Sequence, residues 1–202
     1  MQKNILAQAI ERSQHCQRNW DLSRPIPQDD IDLLILAATQ CPSKQNVAFY
    51  KLHVITNRSV IEEIHKHTKG FGTVINNKYI IETNSQTLAN LLFVYEYVNE
   101  FEINYQREQH TKEIIQRDRN MAVGVSSGYV NLTASLLGYF TGFCACFNPQ
   151  EIKKILNSSG DILLMLGVGY QNTSLNSRRH HLNPNFIFPA KVKQQIVVNR
   201  IS

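Results

Sequence analysis

No apolar run in the 202-residue sequence reaches the roughly 18 residues that span a bilayer, which excludes a helical membrane anchor. The opening residues, MQKNILAQAIERSQH, lack the basic-then-apolar layout of a secretory signal, so a cytoplasmic protein is expected. Cysteine is scarce. Cys16, Cys41, Cys144 and Cys146 do not make a disulfide scaffold in a chain this long, and they read as free thiols in a reducing compartment. Cys144 and Cys146 lie too close together for a zinc knuckle and have no second cysteine pair. Even with His180 and His181 as helpers, no metal site is expected. The net charge of +5 is spread along the chain, with SRRHH at 177–181 as its densest cluster. Basic residues interleaved with exposed aromatics, as a nucleic-acid groove requires, are missing. An anionic small molecule needs only two or three arginines and fits better.

Residue-based catalysts are missing too. No sharp, glycine-flanked serine marks a nucleophile. GFG at 70–72 and GVG at 167–169 are too short for a dinucleotide fingerprint. His15 and Cys16 are adjacent, and adjacent side chains seldom point the right way for a thiol–imidazole pair. The acids sit in helix starts and on polar faces without pairing. What remains is a bound cofactor that carries the hard chemistry.

The residues that are present predict one α+β domain over 1–202, with no repeat or linker. Hydrophobic residues at 43% and charged residues at 18% fit a folded globular chain. Ile5, Leu6, Ala9 and Ile10 repeat at helical spacing. Pro27 and Asp29–Asp30 start a second helix with the stripe Ile31, Leu34, Ile35, Ala38, ending at Cys41–Pro42. KLHVIT (51–56) alternates like a strand, and VIEEIHKHT (60–68) reads as a short helix with His65 and His67 in solvent. LANLLFVYEYV (88–98) is a buried run whose aromatic and β-branched content predicts a strand. MAVGVSSGYVNLTASLLGYF (121–140) reads as a buried helix, small on several faces, with an apolar seam of Val125, Tyr129, Leu132 and Leu136. Its small residues admit a second helix, from this chain or from another subunit. PQEIKKIL (149–156) is a helix, DILLMLGVGY (161–170) a core strand, and FIFPAKVKQQIVVNRI (186–201) an arm laid over something else.

Four segments, QHCQRNWD (14–21), PSKQN (42–46), LLGYFTGFCACF (136–147) and LGVGY to SRR (166–179), resemble the FMN-dependent nitroreductase family in order and spacing. The resemblance implies a nitroreductase-like α+β fold: a central mixed or antiparallel sheet flanked by helices, a long buried central helix and an extended C-terminal arm. It implies a homodimer with FMN at the subunit interface, NADH or NADPH as hydride donor, and a nitroaromatic, quinone or similar electrophile as acceptor. QHCQRNWD resembles the family's phosphate-grasping motif, which puts Arg18, His15 and Cys16 at its positions, with Gln14 where an arginine is usual. Arg178 or Arg179 matches a further phosphate contact. In PSKQN, Ser43 and Asn46 match a loop that reaches the flavin of the other subunit, and Lys44 replaces a serine and is a candidate positive group near flavin N1. Val47, Ala48, Phe49 and Tyr50 depart from the family pattern on the substrate side. Asn84 and Gln86 match pyrimidine-edge contacts, and the backbone amides of Ala145 and Cys146 match those facing flavin N5 and O4. Cys144 and Cys146 themselves read as small core residues. Two alternatives accompany this expectation: other chemistry on the same fold (dehalogenation, azoline oxidation or flavin cleavage), and a non-catalytic basic module with a degenerate flavin site.

Overall fold

The computed structural model of the chain describes residues 2–70, 72–75, 77–81, 83–98, 111–176, 178–180, 185–188 and 199–201. His181 and most of the expected C-terminal arm lie outside these residues.

The run LANLLFVYEYV holds a strand, β5 (Leu91–Tyr97), that is buried at every position. Alternation explains why both of its faces are apolar. Leu91, Phe93, Tyr95 and Tyr97 point to one side of the sheet, and Leu92 and Val94 to the other. On one edge β5 pairs with β2 (Tyr50–Ile55), on the other with β7 (Ile162–Gln171). The far edge of β7 is shared by β6 (Phe140–Cys144) and, beyond it, β1 (Trp20–Asp21). Every pairing among these strands is antiparallel. A separate hairpin, β3 (Gly72–Ile75) with β4 (Lys78–Ile81), stands off the sheet.

Among the described residues, four helices cover the sheet and a fifth lies outside them. The stripe Ile31, Leu34 and Ala38 of α2 (Gln28–Thr39) joins Val123, Val130 and Ala134 of α4 (Lys112–Leu136) on the face of β5 that carries Phe93 and Tyr95. The opposite face is closed by Ile61 and Ile64 of α3 (Arg58–Lys66) and Ile152 of α5 (Pro149–Leu156). Each such fully buried aliphatic or aromatic side chain contributes about 2 kcal/mol by leaving water. Side chains cap the helix starts: Asn57 accepts from the Ser59 and Val60 amides, Thr111 from Ile114, and Asn148 from Gln150. No described helix is long and apolar enough to cross a membrane.

The central helix differs from its sequence reading in extent and in facing. It begins at Lys112, inside a stretch that looks merely polar, because Asp118 and Arg119 are buried by polar partners. It ends at Leu136, and Gly138 in a left-handed turn (φ 89°) redirects the chain so that Phe140 starts β6. Its small residues, among them Ser126, Ser127, Ala134 and Ser135, face inward. Of the expected seam, Val125, Tyr129 and Leu136 face out while Leu132 is half-buried, and Met121 joins the outward face, with Met121 61% and Tyr129 48% exposed. Helix α1 (Gln2–Ser13) lies against α4 and buries only Ala9, leaving Ile5, Leu6 and Ile10 exposed.

Candidate functional site

Residues 14–19 leave α1 along the open edge of β6, where the Gln17 amide donates to the Thr141 carbonyl at 2.7 Å. The Gln17 side chain turns inward and is buried, and its Oε1 accepts from the amides of Arg18 and Asn19 at 2.8 and 2.9 Å. This small loop projects the half-buried Arg18. Its Nη1 donates to the Cys16 carbonyl at 3.0 Å, and its guanidinium lies 3.7 Å from the centroid of the Phe188 ring. Nη2 donates at 3.1 Å to the Gln86 amide oxygen, once that amide is oriented by its own hydrogen bonds. None of these partners is a carboxylate, and Arg18 has no ion pair among the described residues. Burial lowers its pKa, with the Cys16 thiol acting the other way, yet a guanidinium stays charged at neutral pH. Gln14 and His15 are exposed beside it, and Cys16 is half-buried.

Gln86 sits in the 3-10 turn Ser85–Thr87, capped by Asn84, whose Oδ1 accepts from the Gln86 amide at 3.1 Å. The turn rests on a glycine floor. A Cβ at Gly142 or Gly167 would run into the Gln86 carbonyl. His65 anchors the same turn: Nδ1 lies 3.1 Å from the Asn84 carbonyl and 3.2 Å from Thr87 Oγ1, and Nε2 lies 2.8 Å from the Thr83 hydroxyl. His65 is therefore half-buried, contrary to the expectation of solvent, because a turn distant in sequence covers it. Burial lowers its pKa below the ordinary 6.5.

Beyond β6, the Lys69 amide donates to the Cys146 carbonyl and the Asn148 amide to the His67 carbonyl, both at 2.8 Å. The amides of Ala145 and Cys146 have no acceptor among the described residues, so they are open to a ligand. Cys144 is buried and its thiol is pushed up to about 11 by that burial. Cys146 is exposed, which corrects its reading as a core residue: the strand ends between the two.

The chain returns to this corner through 176–188. Arg179 pairs with Ile187 in an antiparallel bridge, flanked by the bonds Phe188 amide to Arg178 carbonyl (2.8 Å) and His180 amide to Phe186 carbonyl (2.9 Å). Alternation therefore puts Arg178 on the face of His180, Phe186 and Phe188, and exposed Arg179 on the other face. Arg178 Nη1 reaches the Phe188 carbonyl at 3.4 Å, so Arg178 and Arg18 share Phe188.

Ser43, Lys44 and Asn46 lie elsewhere. Lys44 Nζ pairs with Asp118 Oδ2 at 2.8 Å, and Asp118 is itself buried. Ser43 Oγ donates to the Val47 carbonyl at 2.8 Å, and Gln45 and Asn46 adopt left-handed backbone (φ 55° and 56°) with both side chains exposed. Phe49 and Tyr50 turn into the core, Phe49 beside Val98 and Ala122, Tyr50 edge-on to Tyr95 at 5.3 Å. A groove of about 640 Å³ separates the loop from Met121, Ala122 and Val125 of α4. The Arg18 corner is tied to the same helix at Ser135, through Arg12 Nε at 3.1 Å. Ser135 and Asp118 are far apart on α4, roughly 25 Å at 1.5 Å per residue. One chain therefore brings Arg18, Asn84, Gln86, Ala145, Cys146 and Arg178 together, and holds the Ser43 loop away from them.

The corner suits an anion at Arg18 and Arg178, and a planar group whose polar edges meet amides at 84–86 and 145–146. Sequence reasoning missed Asn19, His65, Asp118 and Phe188, which act through contacts across the fold and carry no periodic signal. Among the described residues no three His, Cys, Asp or Glu side chains gather as metal ligands.

Known structures of the same shape were found at low identity. Nitroreductase A from Vibrio parahaemolyticus RIMD 2210633 superposes with a TM-score of 0.68 at 14% identity, covering 88% of this chain and 72% of that one. A candidate nitroreductase from Exiguobacterium sibiricum 255-15, solved in complex with FMN, gives 0.65 at 13% identity, covering 85% and 90%. A candidate NAD(P)H:FMN oxidoreductase from Staphylococcus epidermidis ATCC 12228 gives 0.64 at 16% identity, covering 91% and 95%. At these identities the likeness establishes the fold. No curated protein matches the sequence. The Nitroreductase family model matches residues 12–170, most of the chain including Arg18, the glycine floor and nearly all of the sheet, and the chain belongs to that family.

Proposed function

We propose that the protein is an FMN-dependent NAD(P)H oxidoreductase that works as a homodimer and reduces nitroaromatics, quinones or similar small electrophiles. The observation that carries this reading is Arg18, a half-buried cation with no carboxylate partner among the described residues, beside two open amides and the Asn84–Gln86 turn. When bound, FMN would supply the two-electron chemistry that links NADH or NADPH to the acceptor.

The chain's own residues do the positioning. Arg18 and Arg178 would take the phosphate, and Arg178 is preferred over Arg179 because it too contacts Phe188, whereas Arg179 lies on the other face. Gln14, His15 and Cys16 would lie at the rim of that phosphate site, beside Arg18. Asn84 and Gln86 would meet the pyrimidine edge, and the amides of Ala145 and Cys146 the N5 edge. Ser43 and Asn46 would come from the second copy.

The separation along α4 supports the dimer. In an antiparallel pair of α4 helices, the Asp118 end of one copy meets the Ser135 end of the other. That brings each Ser43 loop to its partner's Arg18 corner and covers the outward seam of Met121, Val125 and Tyr129. Lys44 would then approach the ring with its charge partly compensated by Asp118. The free cysteines are compatible with the cytoplasmic location that this reading proposes.

The test is FMN released per chain on denaturation, with size measured by light scattering and NADH or NADPH oxidation followed with a nitroaromatic or quinone. Near-stoichiometric FMN, a dimer and acceptor-dependent oxidation support the reading. A protein that neither carries nor takes up FMN refutes it.

A further inference from the structure

Asn19 follows Arg18 directly, and in extended chain the two side chains point opposite ways. Arg18 goes to the open corner. Asn19 goes inward, 7% exposed, toward the chain segment that returns with Arg178. Its Nδ2 donates to the carbonyl of Asn176 at 2.8 Å and to that of Arg179 at 3.1 Å, so both amide hydrogens are used on one turn. The Asn19 carbonyl accepts from the Asn172 amide at 3.0 Å, and its own amide is held by Gln17 Oε1 at 2.9 Å.

Among the described residues, the turn that it grips is otherwise held by its own side chains and, at its far end, by the bridge to 186–188. Asn172 Oδ1 accepts from Ser174, Asn176 Oδ1 accepts from the Arg178 amide, and Thr173, Ser174, Leu175 and Asn176 are exposed. Fixing such a segment costs conformational entropy, about 1–2 kcal/mol per residue. Asn19 places that cost in the resting fold, before any ligand arrives. Alanine donates nothing, and a carboxylate would repel the two carbonyls.

We propose that Asn19 is a positioning residue for Arg178: one segment sends Arg18 to the anion and, through its next side chain, fixes the turn that carries the second arginine. This rests on the reading that Arg18 and Arg178 take the FMN phosphate. The inference is specific to the phosphate, because Asn19 touches neither the 84–86 turn nor the amides at 145–146 in any hydrogen bond described.

The test compares FMN with riboflavin, which lacks the phosphate, by quenching of flavin fluorescence on titration with the full-length apoprotein. Wild type should bind FMN more tightly than riboflavin. In Asn19→Ala the FMN-to-riboflavin affinity ratio should fall about tenfold, the size expected when one charge-assisted contact is loosened. In Arg178→Ala, adding Asn19→Ala should leave the ratio where it stands. Asn19→Ser, which keeps one donor, should fall between and covers the case in which the alanine variant does not fold. Equal weakening of both flavins by Asn19→Ala or Asn19→Ser, or an unchanged ratio, overturns the role of Asn19 and leaves the phosphate site intact. A wild type with no preference for FMN overturns the phosphate site itself and the proposal with it.

Discussion

The Arg18 corner and the Ser43 loop are both rich in hydrogen-bonding groups, and they are built in opposite ways. In the corner, polar side chains hold one another: Gln17 grips two amides, Asn84 caps its turn, and His65 pins that turn from behind. In the loop, Gln45 and Asn46 sit in left-handed backbone with exposed side chains, beside a groove and an uncovered apolar seam. The corner holds its polar groups within one chain, whereas the loop leaves Gln45 and Asn46 in the open. On the proposed reading, that difference points to a second copy as the source of the rest of the site.

The strongest way to break this comparison is to spoil the seam. Val125→Glu places like charges near each other across a two-fold α4 pair, which should weaken self-association by on the order of 4 kcal/mol. Light scattering should report monomers that keep their far-UV circular dichroism. A variant that dimerises like wild type would detach the seam from the loop's purpose. Next in size is the corner's floor. Gly167→Ala drives a methyl into the Gln86 carbonyl and should cost about 3 kcal/mol of stability, read from denaturant unfolding. Arg18→Ala should lose about 2 kcal/mol of FMN binding, roughly 30-fold, while its melting temperature stays near wild type.

Smaller effects sharpen the contrast. His65 is held below its ordinary pKa of 6.5 mainly by burial, against its bond to Asn84, with Arg58 and Glu62 as the nearby charges. The unfolded chain therefore takes its proton first. The stability from neutral His65 is complete above pH 6.5 and is lost as the pH falls through the folded value. His65→Gln should flatten that part of the stability profile, measured by urea unfolding across mildly acidic pH. The smallest test needs no mutation. At mildly alkaline pH iodoacetamide should alkylate exposed Cys146 and spare Cys144, whose thiol is buried and pushed up to about 11. Peptide mass mapping with and without FMN should show Cys146 protected by the flavin.

Much of the fold was legible because single-element signals agree with it. β5 declares itself by aromatic and β-branched residues, β2 by alternation, and α5 by Pro149 after a capping Asn148. The first turns of α4 were illegible, since Asp118 and Arg119 look like solvent residues until Lys44 and the Val98 carbonyl meet them. The outward turn of Tyr129 was illegible for the opposite reason: an apolar side chain looks buried until the sheet is seen to take the serines instead. In the candidate site, the residue types of Arg18, Asn84 and Gln86 could be read in order along the chain. Phe188 and Asn19 could not, because Asn19 meets a turn, and Phe188 an arginine, more than a hundred residues away. Phe49 and Tyr50, placed by sequence next to the polar loop, belong to the core.

Helix α1 has a consequence in time as well as in space. It is synthesised well before α4, with one buried alanine and an anchor at Ser135 that is 123 positions after Arg12. A helix of its length is marginal in water by itself. It therefore waits for α4 to be synthesised and folded, and its exposed Ile5, Leu6 and Ile10 stay open longer than any core residue does. This helix is therefore made early and settled late, because its partner lies more than a hundred residues downstream.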